Sequence, residues 1–145
     1  MIRSRTVLAT ALLMLLLALL LPGLALAKSV EKRLQEALRS YASTFRWGKI
    51  EQVIDFIDPK VLAEKPISPF ELNRWRQWRV VGYSAQPYAM FGDKAAVQVV
   101  SIELNNVHTG VNRSIEDHQR WRYLKKNRRW MLVSGLPPLS VEDGR

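Results

Sequence analysis

The sequence predicts an α+β fold in which N-terminal helices pack on a curved antiparallel sheet of four or more strands. In the first half of the chain, apolar residues recur at the spacing of helices, whereas from Arg79 onward they alternate with polar residues at the period of strands. This alternation leaves the sheet with one apolar face, and such a face requires a cover. Because the helices carry matching apolar stripes, we expect them to pack into the concave side of the sheet.

The N-terminal segment combines the three parts of a secretory signal. Arg3 and Arg5 make the N-terminus basic, and an apolar run that only Thr10 interrupts extends from Val7 to Leu21. The small-residue pattern Ala25-Leu26-Ala27 then provides a cleavage site. The apolar run is shorter than the roughly 20 residues that a membrane-spanning helix needs. We therefore expect a signal peptide over residues 1–27 and an exported domain, periplasmic or extracellular, from residue 28 onward.

An uncleaved anchor is the alternative to a cleaved signal. The leucine-rich stretch from Leu15 to Leu21 also binds lipid well, and without cleavage after Ala27 the domain would stay tethered to the membrane. Pro22 and Gly23 are expected to break the apolar helix shortly before the cleavage site.

The composition limits what such a domain can do. The chain contains no cysteine, which excludes disulfides, thiol catalysis and cysteine-ligated metal ions. Its 22 Lys and Arg outnumber 13 Asp and Glu, which gives a formal net charge of +9. A basic protein is attracted to anionic partners such as lipid headgroups, cell-wall polymers or nucleic acid. Export argues against nucleic acid and favours a component of the cell envelope. The alternative is that the positive charge serves only the solubility of the domain.

Three helices are predicted before the sheet. The first helix carries a single apolar stripe and ends at Gly48, a residue that suits a helix C-terminus. The stripe consists of Val30, Leu34, Ala37, Leu38, Tyr41 and Phe45.

The two shorter helices have clear boundary signals. The second follows the apolar spacing from Ile50 to Ile57, and the dipeptide Asp58-Pro59 stops it. The third begins at Ser68-Pro69, where serine caps the helix and proline occupies its first turn, and it runs to about Trp75 or Trp78.

Four strands joined by short turns predict an antiparallel meander. Turn residues that tolerate tight backbone geometry occur at Gly92-Asp93, Thr109-Gly110 and Lys126-Asn127. The predicted strands are Arg79–Tyr88, Lys94–His108, Arg113–Lys125 and Arg128–Gly135.

The pattern of the strands also predicts a register. Folding the second and third strands about Gly110–Val111 sets Leu104 opposite Asp117 on one face and Glu103 opposite His118 on the other. A slip of one residue would reverse both faces, so the separation of apolar from charged residues supports this arrangement.

The remaining pairings complete the apolar face. Folding the third and fourth strands about Lys126–Asn127 places Trp121 near Leu132 and Tyr123 near Trp130. The first strand is expected to add three residues to the same face, namely Val81, Tyr83 and Ala85.

The order of these elements resembles that of the nuclear transport factor 2-like superfamily, also called SnoaL-like. The resemblance covers most of residues 28–137 and rests on a long amphipathic helix, the segment "DFIDPKV" and the closing hairpin "HQRWRYLKKNRRWMLV". It implies a cone-shaped domain that encloses a pocket. Members of this superfamily include isomerases, dehydratases, epoxide hydrolases and small-molecule binders, and exposed sheet faces mediate homodimers, so the fold alone does not define a function.

Six inward-facing residues are candidates for a ligand pocket in the cone. Aromatic walls with one or two polar anchors are the usual composition of a small-molecule site. The alternative is that the rings simply fill the cone as core. The candidates are Tyr41, Tyr83, Asp117, Gln119, Trp121 and Trp130.

Asp117 is the single acid that this arrangement places on the inner face. We expect it to be an ordinary solvated carboxylate at the rim of the sheet, because the predicted register puts it near the hairpin end. As a buried pocket acid it would instead serve an isomerase- or hydrolase-type enzyme together with Tyr83 or Tyr41. The two histidines, His108 and His118, lie too far apart along the strands to share a metal ion, and we expect His118 to pair with a carboxylate on the outer face.

A basic cluster surrounds the last hairpin. It is interpreted either as a surface for an anionic envelope component or as a solvated edge whose charge prevents aggregation between strands. Its members are Arg120, Arg122, Lys125, Lys126, Arg128 and Arg129. Beyond it, residues 138–145 are expected to form a disordered tail.

The sequence as a whole favours an exported, non-catalytic binding or interaction domain that holds a small apolar ligand in the cone. It implies no cofactor and no metal ion. An enzyme based on Asp117 and a basic docking module are the two alternatives, and contact with a membrane is expected if the signal stays uncleaved.

Overall fold

A computed structural model describes the backbone of residues 2–139 and the side chains of residues 23 and 25–139. Most side chains of the predicted signal segment 1–27, and residues 140–145 of the predicted tail, lie outside this description. Within the part of the chain that is described, no helix is both long and apolar enough to cross a membrane.

The helices pack against a curled antiparallel sheet, so the predicted α+β fold with a cone-like shape is confirmed. The strands run in the spatial order β1-β3-β4-β5, and β2 pairs with β3. The helices are α1 (Ile2–Trp47), α2 (Ile50–Ile54), α3 (Pro59–Glu64) and α4 (Pro69–Arg76). The strands are β1 (Trp78–Ala85), β2 (Ala89–Phe91), β3 (Ala95–Asn106), β4 (Asn112–Leu124) and β5 (Arg129–Leu132).

Helix α1 buries the stripe that its sequence predicts, with Val30, Leu34 and Tyr41 in the core. The helix ends at Trp47, directly before Gly48. A side chain at position 48 would come within 2.7 Å of the Thr44 carbonyl oxygen, so glycine allows the chain to turn here. The expected break at Pro22 and Gly23 is not present, because the backbone stays helical through both residues.

The segment after α2 differs from its prediction. Asp58-Pro59 does more than end a helix, since it begins α3, which periodicity did not reveal. The Asp58 side chain caps this helix by accepting a hydrogen bond of 2.9 Å from the backbone N–H of Lys60. The preceding residue, Ile57, forms a parallel bridge with Leu132 of β5 and thereby covers that edge of the sheet.

Helix α4 agrees with its boundary signals. The Ser68 side chain accepts a hydrogen bond of 3.1 Å from the N–H of Glu71, Pro69 occupies the first turn, and the helix ends at Arg76.

The two long hairpins differ in how well their register was predicted. Trp121 faces Leu132 and Tyr123 faces Trp130, so the β4–β5 register is confirmed. Between β3 and β4 the prediction was wrong by four residues, since Leu104 lies opposite Arg113 instead of Asp117.

The turn explains this difference. The Asn106 side-chain oxygen accepts hydrogen bonds of 3.0 Å from the backbone N–H groups of His108 and Thr109, and Gly110 adopts a φ of 72°. The chain therefore reverses earlier than the position about which it was expected to fold. Because the error is an even number of residues, every side chain keeps its predicted face.

Strand β1 contains a bulge between Val80 and Gly82, which changes the inward-facing set. Val81 and Ala85 are exposed, contrary to the prediction, while Tyr83 points into the core as expected. Gly82 lies against the side chain of Glu103, where an added side-chain carbon would be only 3.0 Å from the carboxylate.

The described chain stays packed to its last residue. Leu139 is buried in the core, and its carbonyl accepts a hydrogen bond from the Arg113 guanidinium. The beginning of the predicted tail is thus part of the domain.

Candidate functional site

The residues predicted to line a pocket are packed against one another inside the cone. Tyr41 and Trp121 are almost fully buried, and their rings meet edge to face with centroids 5.4 Å apart. Tyr41 also contacts Phe56 in the same geometry at 5.5 Å. Trp130 is buried, and its indole N–H donates a hydrogen bond of 2.9 Å to the carbonyl of Val30. These rings tie α1 to β4 and β5.

Gln119 is the centre of a buried polar network. Its amide nitrogen donates hydrogen bonds to the Asp117 carboxylate at 2.8 Å and to the Tyr83 hydroxyl at 3.0 Å. Its amide oxygen accepts a hydrogen bond of 3.2 Å from the Trp121 indole N–H. All of its donor hydrogens are therefore used inside the cone, as burial of an amide requires.

Asp117 is buried, with 3% of its surface exposed, and so the expectation of a solvated rim carboxylate was wrong. In the observed register Asp117 lies opposite Val100. Val100 is further from the β3–β4 turn than Leu104, the partner that was predicted for Asp117. Burial raises its pKa to about 6, against the opposing effect of the hydrogen bond from Gln119.

The two tyrosines near this acid are also poor acids themselves. Burial raises the pKa of Tyr83 to about 12 and moves the pKa of Tyr41 well above its ordinary value, and the charge of Asp117 adds to both shifts. Among the described residues, the Tyr41 hydroxyl has no hydrogen-bond partner. The cluster could exchange one proton at Asp117, but it is enclosed by core side chains.

A groove of about 950 Å³ lies at the C-terminal end of α1. It is thus far from the part of α1 that packs against Trp130. It is bounded by the last residues of α1, by α2 and α4, by the start of β1 and by the β3–β4 turn. Neither this groove nor a smaller cavity of about 250 Å³ beside Glu103 is lined by Asp117, Gln119 or Trp121.

Four aromatic rings line the groove. Phe45 and Trp75 are buried and pack edge to face with centroids 5.5 Å apart. Trp78 is half-buried, and Trp47 is 76% exposed at the rim. The groove therefore offers an apolar floor and one indole ring that is free to contact a ligand.

The charged residues of the groove are mainly basic. Arg46, Lys49, Arg76 and Arg79 line it together with a single acid, Glu51. That acid is engaged, since the Arg76 guanidinium donates to its carboxylate with an Nε–Oε1 distance of 3.0 Å. The hydrogen bond from Arg76 lowers the pKa of Glu51 from its ordinary value.

Three cations of the groove have no acidic partner in the part of the chain that the structure describes. They are Arg46, Lys49 and Arg79. The Arg46 guanidinium lies 5.1 Å from the centre of the Trp47 ring, so a cation and an aromatic surface are presented side by side.

One feature of the sequence, the position of Trp47, indicates this groove. Trp47 comes two residues after Phe45, so it falls off the apolar stripe of α1, and it sits between Arg46 and the helix-ending Gly48. A tryptophan on the polar side of a helix end indicates an exposed aromatic surface.

The predicted basic cluster does not form one surface. Arg122 makes an ion pair of 2.5 Å with the buried Asp58, and Arg120 lies exposed on the outer face of β4. Burial opposes ionisation of Asp58, but the bonds from Arg122 and the Lys60 N–H outweigh it and hold the pKa of the carboxyl below its usual value. The other four residues of the cluster surround the β4–β5 turn and are exposed.

His118 pairs with an acid on the outer face as expected. Its partner is not Glu103, which the predicted register set opposite it. Its Nε2 atom is 2.6 Å from the carboxylate of Glu116 on the same strand, whereas Glu103 lies opposite Ser114. Among the residues that the structure describes, no group of three or more His, Asp or Glu side chains is arranged to hold a metal ion.

The geometry defines an α+β domain with a filled cone and a basic, aromatic groove at one end. No family model, characterised protein or solved structure matches the chain. Membership of the nuclear transport factor 2-like superfamily therefore stays a prediction from the order of the elements.

Proposed function

We propose that this protein is an exported, non-catalytic binding module that takes an amphipathic anion in the groove at the end of α1. The observation that carries the proposal is the combination of an exposed Trp47 with Arg46, Lys49 and Arg79, three cations without an acidic partner among the described residues.

The aromatic floor supports binding of an apolar group. Phe45, Trp75 and Trp78 provide rings that are already held in place by packing, so little conformational freedom is lost when a ligand covers them. Trp47 adds a large surface whose burial by a ligand is favourable, because most of it is exposed in the free protein.

The basic residues support an anionic head on the same ligand. Glu51 is already neutralised by Arg76, so it does not repel an incoming anion strongly. An arginine and a lysine on either side of Trp47 and Gly48 can donate charge-assisted hydrogen bonds to a carboxylate, sulfonate or phosphate.

Because side chains fill the cone, we place the ligand in the groove and not among the residues that the sequence predicts as a pocket. Asp117 and Gln119 use their polar atoms within the protein, and Tyr41 and Trp121 occupy the space between helix and sheet. We therefore assign these residues to the stability of the cone, and the groove to binding.

Calorimetric titration tests the proposal with a matched pair of probes. Naphthalene-2-sulfonate carries an aromatic body and an anion, while naphthalene-2-methanol carries the same body without charge. We expect the sulfonate to bind and the alcohol to bind at least about tenfold more weakly, since a charge-assisted hydrogen bond contributes about that factor or more.

Variants identify the site. The double change Arg46→Gln and Lys49→Gln, and separately Trp47→Ala, should each weaken sulfonate binding by about tenfold. Arg128→Gln and Phe91→Ala remove an exposed cation and an exposed ring elsewhere and serve as controls. Equal binding of both probes, or equal losses in the control variants, would contradict an amphipathic anion site in the groove.

A further inference from the structure

The end of the domain opposite the groove gathers a second set of exposed basic residues. The Trp130 indole is bonded to the Val30 carbonyl, so the β4–β5 turn lies beside the start of the packed part of α1. The N–H of Tyr123 donates to the Lys94 carbonyl at 2.8 Å, which brings the β2–β3 turn to the same end. The exposed cations here, which we call the basic end, are Lys28, Lys94, Lys125, Lys126, Arg128 and Arg129.

Their charges are not neutralised locally. Among the described residues, no ion pair includes any member of the basic end. Two acids lie in the same region, Asp93 in the β2–β3 turn and Glu31 on α1, and the latter accepts a hydrogen bond of 2.8 Å from Tyr88. The region keeps a clear excess of positive charge.

Exposed apolar side chains accompany these cations. Phe91, next to the β2–β3 turn, is 63% exposed, and Leu26, which precedes Lys28 on α1, is 68% exposed. Basic residues interspersed with exposed aromatic and aliphatic side chains suit the interface of a bilayer, where cations meet headgroups and apolar groups enter below them.

We propose that the basic end rests on a bilayer surface that contains anionic phospholipids, so that the groove points away from the membrane. A membrane is favoured over a soluble polymer because of what precedes the basic end in the chain. No charged residue occurs from Thr6 to Ala27, and this stretch is the part of α1 that directly precedes Lys28 of the basic end. This inference does not rest on the proposed function of the groove.

The absence of cysteine from the chain permits a clean test by single labelling. Asn127→Cys places a fluorophore in the β4–β5 turn, and Thr109→Cys places it in the β3–β4 turn at the groove end. The full chain is reconstituted into vesicles of phosphatidylcholine, with or without phosphatidylglycerol, that carry a quencher on their headgroups. We expect quenching at position 127 to rise when phosphatidylglycerol is present and to fall again at high salt, with position 109 unaffected.

Charge variants complete the test. Changing Lys125, Lys126, Arg128 and Arg129 to Gln should lower the docking equilibrium by about a hundredfold or more, because each basic residue near an anionic leaflet contributes roughly a fivefold preference. The matched control changes Arg46, Lys49, Arg74 and Arg79 to Gln and should leave quenching at position 127 unchanged.

Three outcomes would overturn the proposal. They are equal quenching at position 127 in both kinds of vesicle, equal quenching at positions 109 and 127, and no effect of the four substitutions in the basic end. Binding of polyglutamate without any lipid-dependent quenching would also reject the membrane surface and assign the basic end to an anionic polymer.

Discussion

At the scale of single residues, the most informative position is Asp117. Its carboxylate is buried and receives one hydrogen bond from Gln119, while the nearby Tyr41 hydroxyl has no partner among the described residues. Such groups cost folding free energy when charged or unsatisfied. Both features therefore make predictions about stability that are independent of any ligand.

Asp117 should make the domain less stable as the pH rises from about 4 to about 6. Its folded pKa of about 6 lies above its ordinary value of 3.8, so in this window the folded protein binds a proton that the unfolded chain has lost. The stability that protonation provides is lost as the pH passes through the folded pKa, and the loss is on the order of 2–3 kcal/mol. Asp117→Asn stays uncharged, so its unfolding free energy relative to the wild-type protein, measured by urea unfolding, should be higher by an amount of that order at pH 7 than at pH 4.

Asp93→Asn is the control for this change, because Asp93 is an exposed acid that makes no ion pair among the described residues. If the difference in unfolding free energy between the wild-type protein and Asp117→Asn does not vary between pH 4 and pH 7, the raised pKa of Asp117 is refuted.

Tyr41 and Tyr83 should respond oppositely to removal of their hydroxyl groups. Tyr41→Phe removes a buried hydroxyl without a partner and should be neutral or stabilise the fold by about 1 kcal/mol. Tyr83→Phe removes an acceptor of Gln119 and should destabilise it by about 1 kcal/mol. Thermal or urea unfolding measures both, and a clear loss of stability in Tyr41→Phe would show that its hydroxyl does have a partner.

At the scale of elements, the segment between α2 and α3 is held against the last strand by a polar latch. The Asp58 side chain caps α3, pairs with Arg122 on β4, and its backbone N–H donates to the Leu132 carbonyl at 2.9 Å. One buried residue thus connects a helix, a sheet edge and the outer face of the sheet. The latch explains why Asp58, which was expected only to help stop a helix, is buried.

Removal of this latch should be costly. Asp58→Ala loses the cap and leaves the half-exposed Arg122 without its partner, so we expect a loss of about 1–3 kcal/mol in unfolding free energy. Asp58→Asn keeps a capping oxygen and should cost less. Because the folded pKa of Asp58 is lowered, its contribution is complete at neutral pH and is lost as the pH falls through that folded pKa.

Arg120→Gln, on the same outer face of β4, is the control for the latch and should change stability by less than about 0.5 kcal/mol. A double-mutant cycle between positions 58 and 122 isolates the ion pair, and a coupling energy near zero would contradict the latch.

At the scale of the whole molecule, the two proposed surfaces lie at opposite ends. Strand β3 connects the β2–β3 turn at the basic end with the β3–β4 turn at the groove, and its 12 residues span roughly 40 Å. Exposed charges at such a separation are screened from each other at physiological salt. The domain can therefore contact a membrane and present its groove at the same time.

Binding at the two ends should accordingly be independent. We expect the affinity for naphthalene-2-sulfonate to change by less than about twofold when vesicles containing phosphatidylglycerol are added, with phosphatidylcholine vesicles as the control. A loss of about tenfold or more would mean that lipid and ligand compete for one surface.

Much of the architecture could be predicted from local patterns. The stripe of α1, the Ser68 cap of α4 and the Trp121–Leu132 register each depend on residues close in sequence, and all three are confirmed. The β3–β4 register was predicted wrongly because the side chain of Asn106 sets the turn, and an even slip leaves the pattern of faces unchanged.

The sequence by itself determined the fold class, the faces of β3, β4 and β5, and the basic, cysteine-free character of the chain. Only the tertiary structure decided that Asp117 is buried and that the cone is filled by rings and by the Gln119 network. The tertiary structure also places the basic residues at three separate sites. Arg122 belongs to the latch, a second group forms the basic end, and a third lines the groove beside Trp47. The reason is physical: periodicity reports which way a side chain points, whereas burial and pairing depend on residues that are distant in the chain.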